Sequence, residues 1–257
     1  MNTETTPLNG APTNIGFLRG LNYGSGDCDD LERALGKKLW IPDIPLYDGE
    51  LPTGVDRRTE EERLAGNIAK EAAARNCRRF IAHSRGAFMA LLASNLTNAS
   101  SQQVQWIVMI PAAGDPMNVP IKEDADCLED AVLHPLCATM SSEAYRLLKE
   151  RHAPTLKRTL KVMNPKKYAV PVDDVRAKIL ALNVDIPILV IDCKHDPFRD
   201  LERLDLMIGG CPNITISAPL HCGHFPHVEC PDALVETIKA WESSLGISAP
   251  PTFAAAV

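Results

Sequence analysis

The stretch Phe80–Ser94, "FIAHSRGAFMALLAS", decides the reading of this chain. It opens on a hydrophobic run, turns through His83-Ser84-Arg85-Gly86, and leaves in small residues and leucines that form good helix. A buried strand that turns this sharply into a helix can hold the corner residue in a strained conformation, with its side chain above the sheet edge. The backbone N–H groups that follow are then free to face a developing anion. Such a corner requires small residues two before and two after the serine, and those positions are Ala82 and Gly86. The competing reading is a serine that merely caps a helix after a strand.

Outward from this corner, short apolar runs alternate with helical patterns. The predicted strands are Ile15–Arg19, Lys38–Ile41, Arg78–Ala82, Val104–Ile110, Ile186–Asp192 and Asn213–Ser217. Runs such as "WIVMI" and "IPILVI" are continuously apolar, as suits strands buried on both faces. The alternation predicts an α/β fold with a mostly parallel sheet of about six strands and helices on both faces. Thr59 and Glu62 have capping-box spacing ahead of "RLAGNIAKEAAARN", and Pro231 stands where a first-turn proline belongs, ahead of "DALVETIKAWESSL". Residues 115–182 carry helical patches and prolines without a convincing strand. They are expected to form a helical cap inserted into a core of residues 15–114 and 183–247, between tails at 1–14 and 248–257.

A chain of 257 residues, 45% hydrophobic and 23% charged, can bury one sizeable core. Its net charge of −6 excludes an obvious nucleic-acid surface, and pairs such as Arg78-Arg79 lack interleaved aromatics. No apolar run reaches the ~20 residues that span a bilayer, and the first residues show no basic-then-apolar signal pattern. These features lead to the expectation of a cytoplasmic protein without membrane partners, whose eight cysteines are thiols.

A serine hydroxyl needs a base, and the base needs an orienting acid. Asp196 follows the run "IPILVIDC", just beyond a strand's carboxyl end, and His224 lies in the loop "HCGHFPHVEC" ahead of the last helix. Asp192 and Asp200 are rival acids, and His221 and His227 rival bases. His195 is expected at the rim. Cys222, His224, His227 and Cys230 also admit a zinc reading.

With these pieces in order, the sequence resembles the α/β-hydrolase superfamily, particularly its capped esterase-like members. "AHSRGA" is similar to the nucleophile elbow, "DCKHDPF" to the acid loop, and "CGHFPHVECPDAL" to the histidine loop and following helix. The likeness explains the Cys/His cluster without metal, and it implies no cofactor. It implies Ser84 as nucleophile, His224 as general base and then acid, and Asp196 as the orienting carboxylate. It also implies an oxyanion hole from the backbone N–H groups of Arg85 and Leu21, with Arg19-Gly20 where the family usually carries His-Gly. Arg19 and His83 are candidate substrate-binding residues. The implied activity is hydrolysis of a small-molecule acyl substrate (an ester, thioester or lactone) through an acyl-enzyme. The alternatives are C–C hydrolysis, acyl transfer or lyase chemistry on the same scaffold, or a non-catalytic ligand-binding descendant. Two features depart from the family. Only 14 polar residues precede the first strand, where an antiparallel pair is usual, and "IPDIPLYDGELP" lacks the usual glycines.

Overall fold

In the computed structural model the described residues are 15–20, 28–42, 57–97, 104–110, 139–143, 145–146, 149–150, 185–197, 199 and 210–246. Five strands form one parallel sheet in the order β1-β2-β3-β4-β5: β1 Ile15–Leu18, β2 Arg79–His83, β3 Trp106–Ile110, β4 Ile188–Val190 and β5 Ile214–Ile216. The first four are buried throughout; β1, β3 and β4 accordingly carry no polar side chain, and β2 is apolar between Arg79 and His83. At the edge, β5 exposes Thr215 and Ile216.

Among the described residues the sheet has five strands where about six were expected. Lys38–Ile41 does run beside β1, with Phe17 N–H donating to Trp40 O at 2.8 Å and Trp40 N–H to Ile15 O at 3.0 Å. It contributes only the single bridge Gly16–Trp40. Backbone groups alternate sides along an extended segment, so the next donor toward β1 would be residue 42, and Pro42 has no N–H to continue the ladder.

Side-chain alternation divides the core between two faces. Phe80, Ala82, Ile107, Met109, Ile188 and Val190 pack against α2 (Arg57–Ala74) and α3 (Arg85–Thr97). Ile81, Trp106, Val108, Ile110, Leu189 and Ile191 face α1 (Asp29–Leu35) and, near the C-terminus, α5 (Pro231–Ser244). A four-residue helix, α4 (Pro226–Glu229), precedes α5. The predicted stripes are in place: Leu64 and Ile68 of α2, and Leu234, Ile238 and Trp241 of α5, are buried. The capping-box expectation is not met, because α2 begins at Arg57 and Thr59 lies inside its first turn. Pro231 occupies the first turn of α5, as expected.

From β1 the chain passes through α1 on one face to Trp40, then returns through α2 on the other face to β2. Trp40 and β2 therefore flank β1 on opposite sides. Open parallel sheets bind ligands at such a reversal, which here falls at the carboxyl ends of β1 and β2.

Of the expected cap, only residues 139–143, 145–146 and 149–150 are described. They carry helical backbone at 142–143, 145–146 and 149–150, with Tyr145 N–H donating to Ser141 O at 2.9 Å. Both expected tails lie outside the described residues.

At the opposite end of the sheet, Arg79 is buried, so the Arg78-Arg79 pair is no basic patch. Its guanidinium donates to Gln105 at 2.9 Å and pairs with Glu242 at 3.0 Å, while Trp106 Nε1 donates to the same Glu242 oxygen at 3.2 Å. Removing Glu242 strands a buried cation, which costs about 3 kcal/mol. Glu242→Ala is therefore expected to lower the urea unfolding midpoint markedly, and Glu242→Gln, which keeps an acceptor, to lower it less.

Candidate active site

The corner between β2 and α3 is one residue long. Ser84 adopts φ 51°, in the left-handed region that costs a non-glycine residue about 1–3 kcal/mol when strained. Two hydrogen bonds hold it there: Ser84 N–H donates to Ile110 O at 2.7 Å, and Ala87 N–H donates to Ser84 O at 2.9 Å. Ser84 itself is half-buried. Arg85 opens α3, so its N–H stands at the helix start among the donors that helical bonding leaves over.

The small residues around the corner answer to close packing. Ala82 is fully buried between Leu18 and Met109 in the ladder. At Gly86 a Cβ would sit 2.2 Å from Leu18 O and 2.7 Å from Arg19 O, so only glycine fits where the end of β1 meets the start of α3. The same contact brings Arg19, half-buried at the end of β1, against the corner. Leu21, the expected second oxyanion donor, lies outside the described residues.

The loops after β4 and β5 are zipped together beyond the sheet. Leu220 N–H donates to Asp192 O at 2.8 Å, Lys194 N–H to Leu220 O at 2.9 Å, and His195 N–H to Cys222 O at 3.0 Å. This zipper brings Asp196 and His224 face to face. His224 Nδ1 lies 3.2 and 3.1 Å from the two Asp196 oxygens, and both residues are buried. A carboxylate only accepts, so Nδ1 carries the hydrogen and Nε2 is left as the basic nitrogen.

The rival residues have other partners. Asp192 is gripped by Arg199 through two bonds, 2.6 and 2.9 Å, a bidentate pair that holds the guanidinium above its ordinary pKa. Asp200 lies outside the described residues. His221 is exposed near His195, ring centres 5.7 Å apart, and His195 is itself exposed, as expected of a rim residue. His227 is buried between Phe17 and His83, at 5.3 and 4.7 Å.

His83 has no exposed surface and is a packed support beneath the site. Its Nε2 donates to His224 O at 2.8 Å, and its ring lies 4.9 Å from that of His224. This contact brings the His224 loop against the residue that directly precedes Ser84.

The zinc reading finds no matching donor set. Among the described residues no three His, Cys, Asp or Glu side chains gather as a metal would need. Cys222 bonds to Cys193 and Cys230; the Cys193 bond and burial push the Cys222 thiol well above the usual range against an opposing effect of Cys230, and the Cys222 bond and burial do the same to Cys230. Cys28, Cys77, Cys193, Cys211, Cys222 and Cys230 are thiols outside any disulfide, and burial pushes Cys77 up to about 11.

One participant in the loop was not singled out from the sequence. Glu229, at the end of α4, accepts Gly223 N–H at 2.9 Å and Phe225 N–H at 3.1 Å, the amides on either side of His224. Its only sequence signal was its place in the histidine-loop motif.

Residues 8–237 match the Alpha/beta hydrolase family. The chain belongs to that family. Among solved structures it is similar to a lipase-esterase related protein from Clostridium acetobutylicum, with TM-score 0.63 and 17% identity over 90% of this chain and 94% of that one. A hydrolase from Oleispira antarctica gives 0.61 and 17%, over 90% and 92%. An alpha/beta hydrolase enzyme from the metagenome of Mar Chica lagoon sediments, Morocco, gives 0.58 and 20%, over 93% and 94%. Comparison with curated proteins finds no match. No helix among the described residues is long and apolar enough to cross a membrane.

The contact at Gly86 yields a direct test of the corner. Gly86→Ala must displace two backbone carbonyls, and it is expected to reduce unfolding free energy by about 1–3 kcal/mol, measured by urea denaturation.

Proposed function

We propose that this chain is a serine hydrolase acting on a carboxylic ester, thioester or lactone through an acyl-enzyme on Ser84. The observation that carries the reading is the His224–Asp196 pair, held against His83 and so beside the strained Ser84 corner. Ser84 Oγ attacks the acyl carbon and its proton passes to His224 Nε2. The negative oxygen is received by the N–H of Arg85 and, in the family's arrangement, by that of Leu21. Collapse of the intermediate breaks the bond to the alcohol or thiol, which leaves with the proton from His224. Water then gives a proton to His224 as its oxygen attacks the acyl carbon, and the acid departs as Ser84 is reprotonated. Asp196 holds the imidazole in the tautomer that this exchange needs.

Residues 115–182 are read as the cap over this end of the sheet, and the hydrogen bond from Thr139 to Glu229 supports that placement. Arg19 at the end of β1 is the candidate contact for an acidic acyl group. The lipase-esterase description of one similar structure favours oxygen esters as the first substrates to try.

A fluorophosphonate probe is expected to label the wild-type protein and leave Ser84→Ala unlabelled. A folded wild-type protein that stays unlabelled overturns the proposal. On p-nitrophenyl esters of graded acyl length, Asp196→Asn is expected to lower kcat by about 10³–10⁴-fold while the protein keeps its fold.

A further inference from the structure

The peptide unit between His224 and Phe225 is held at both ends. Its carbonyl accepts from His83 Nε2 at 2.8 Å, and its N–H donates to Glu229 Oε1 at 3.1 Å. The other Glu229 oxygen receives Gly223 N–H at 2.9 Å. Rotation of the backbone on either side of His224 therefore breaks a bond to this carboxylate. N–H groups bound to a charged carboxylate make roughly twice the usual contribution.

Glu229 is fixed in turn. Its own N–H donates to Phe225 O at 2.8 Å, so Phe225 and Glu229 form a reciprocal clasp around α4. The oxygen that receives Gly223 also receives the Thr139 hydroxyl, from the region read as the cap. One carboxylate thus joins both flanks of His224 to a residue 90 positions earlier in the chain.

We propose that Glu229 is the positioning residue of the proposed base, and that Thr139 completes its carboxylate. This rests on the serine-hydrolase reading above. The imidazole has to present Nε2 to Ser84 while Nδ1 stays on Asp196, and a small twist of the loop spoils one of the two. Glutamine is the informative replacement because it has the same shape. Its amide offers one oxygen acceptor and turns an N–H₂ donor toward the other flanking N–H.

The test uses p-nitrophenyl butyrate turnover and fluorophosphonate labelling rate on the full chain, with circular dichroism and unfolding midpoint measured alongside. Glu229→Gln is expected to stay folded and to lose about 10²-fold in kcat and labelling rate, as misplacement by ~1 Å does, with KM near wild type. Thr139→Val is expected to lower kcat severalfold and Thr139→Ser to restore it. A folded Glu229→Gln protein with wild-type kcat overturns the proposal, as does a loss that follows only the folded fraction. Should Glu229→Gln fail to fold, the threonine pair decides: Thr139→Val equal to wild type overturns the proposal, and a kcat loss rescued by serine sustains it. Ser84→Ala separates the two levels. If it keeps wild-type turnover, the serine-hydrolase reading has failed. If it is inactive while the Glu229 and Thr139 variants match wild type, only the positioning role has failed.

Discussion

The contact between Gly86 and the last carbonyls of β1 is the constraint on which the site depends. A Cβ at that position would lie 2.2 Å from Leu18 O, so the helix start can reach the strand end only because nothing is there. That approach compresses the β2–α3 connection to one residue and drives Ser84 to φ 51°. The strain is tolerable because Ser84 is bonded on both sides of its backbone, to Ile110 O and to Ala87 N–H. The corner also lies where the chain reverses direction across the sheet. Trp40 falls on one side of β1 and β2 on the other, so the strained serine stands at the topological reversal where open parallel sheets bind ligands.

The remainder of the site comes from the other side of the sheet. The loops after β4 and β5 continue to pair past the strand ends, and this carries Asp196 and His224 together without further regular structure. Polar groups beneath then remove the freedom that a loop would otherwise keep. His83 takes the His224 carbonyl and Glu229 takes the neighbouring amides, so backbone groups that water would solvate on a surface loop are satisfied within the protein. In this family setting the supporting residues sit in the same short motifs as the residues they support. His83 immediately precedes Ser84, and Glu229 follows His224 by five positions.

The alternation of apolar runs and helices made the parallel sheet legible in the sequence, because strands buried on both faces need no polar positions. The corner was legible for a steric reason: alanine and glycine flank the serine at the two places where backbones approach. Asp196 and His224 could be placed at the carboxyl ends of strands from local pattern alone. Lys38–Ile41 reads as a strand because its side chains suit one, yet its pairing with β1 stops at one bridge, since Pro42 cannot donate the next ladder bond. Thr59 was over-read as a cap, because α2 starts earlier than its apolar stripe.

The sequence by itself therefore determined the element order, the Ser84 corner and the order in which serine, acid and histidine follow one another. These depend on apolar periodicity and residue size, which act over a few positions. Only the tertiary structure decided which carboxylate meets His224. Asp192 and Asp196 are four residues apart in one loop, and Arg199 takes the first while His224 meets the second. It also decided that His83 is a buried support, that His227 belongs to the core, and that Glu229 clasps the histidine loop. Each of those assignments turns on side-chain direction and on partners that can lie far away in the chain, as Phe17 does from His227 and His83 from His224. Spacing along a sequence carries no information about such contacts until the sheet brings the loops together.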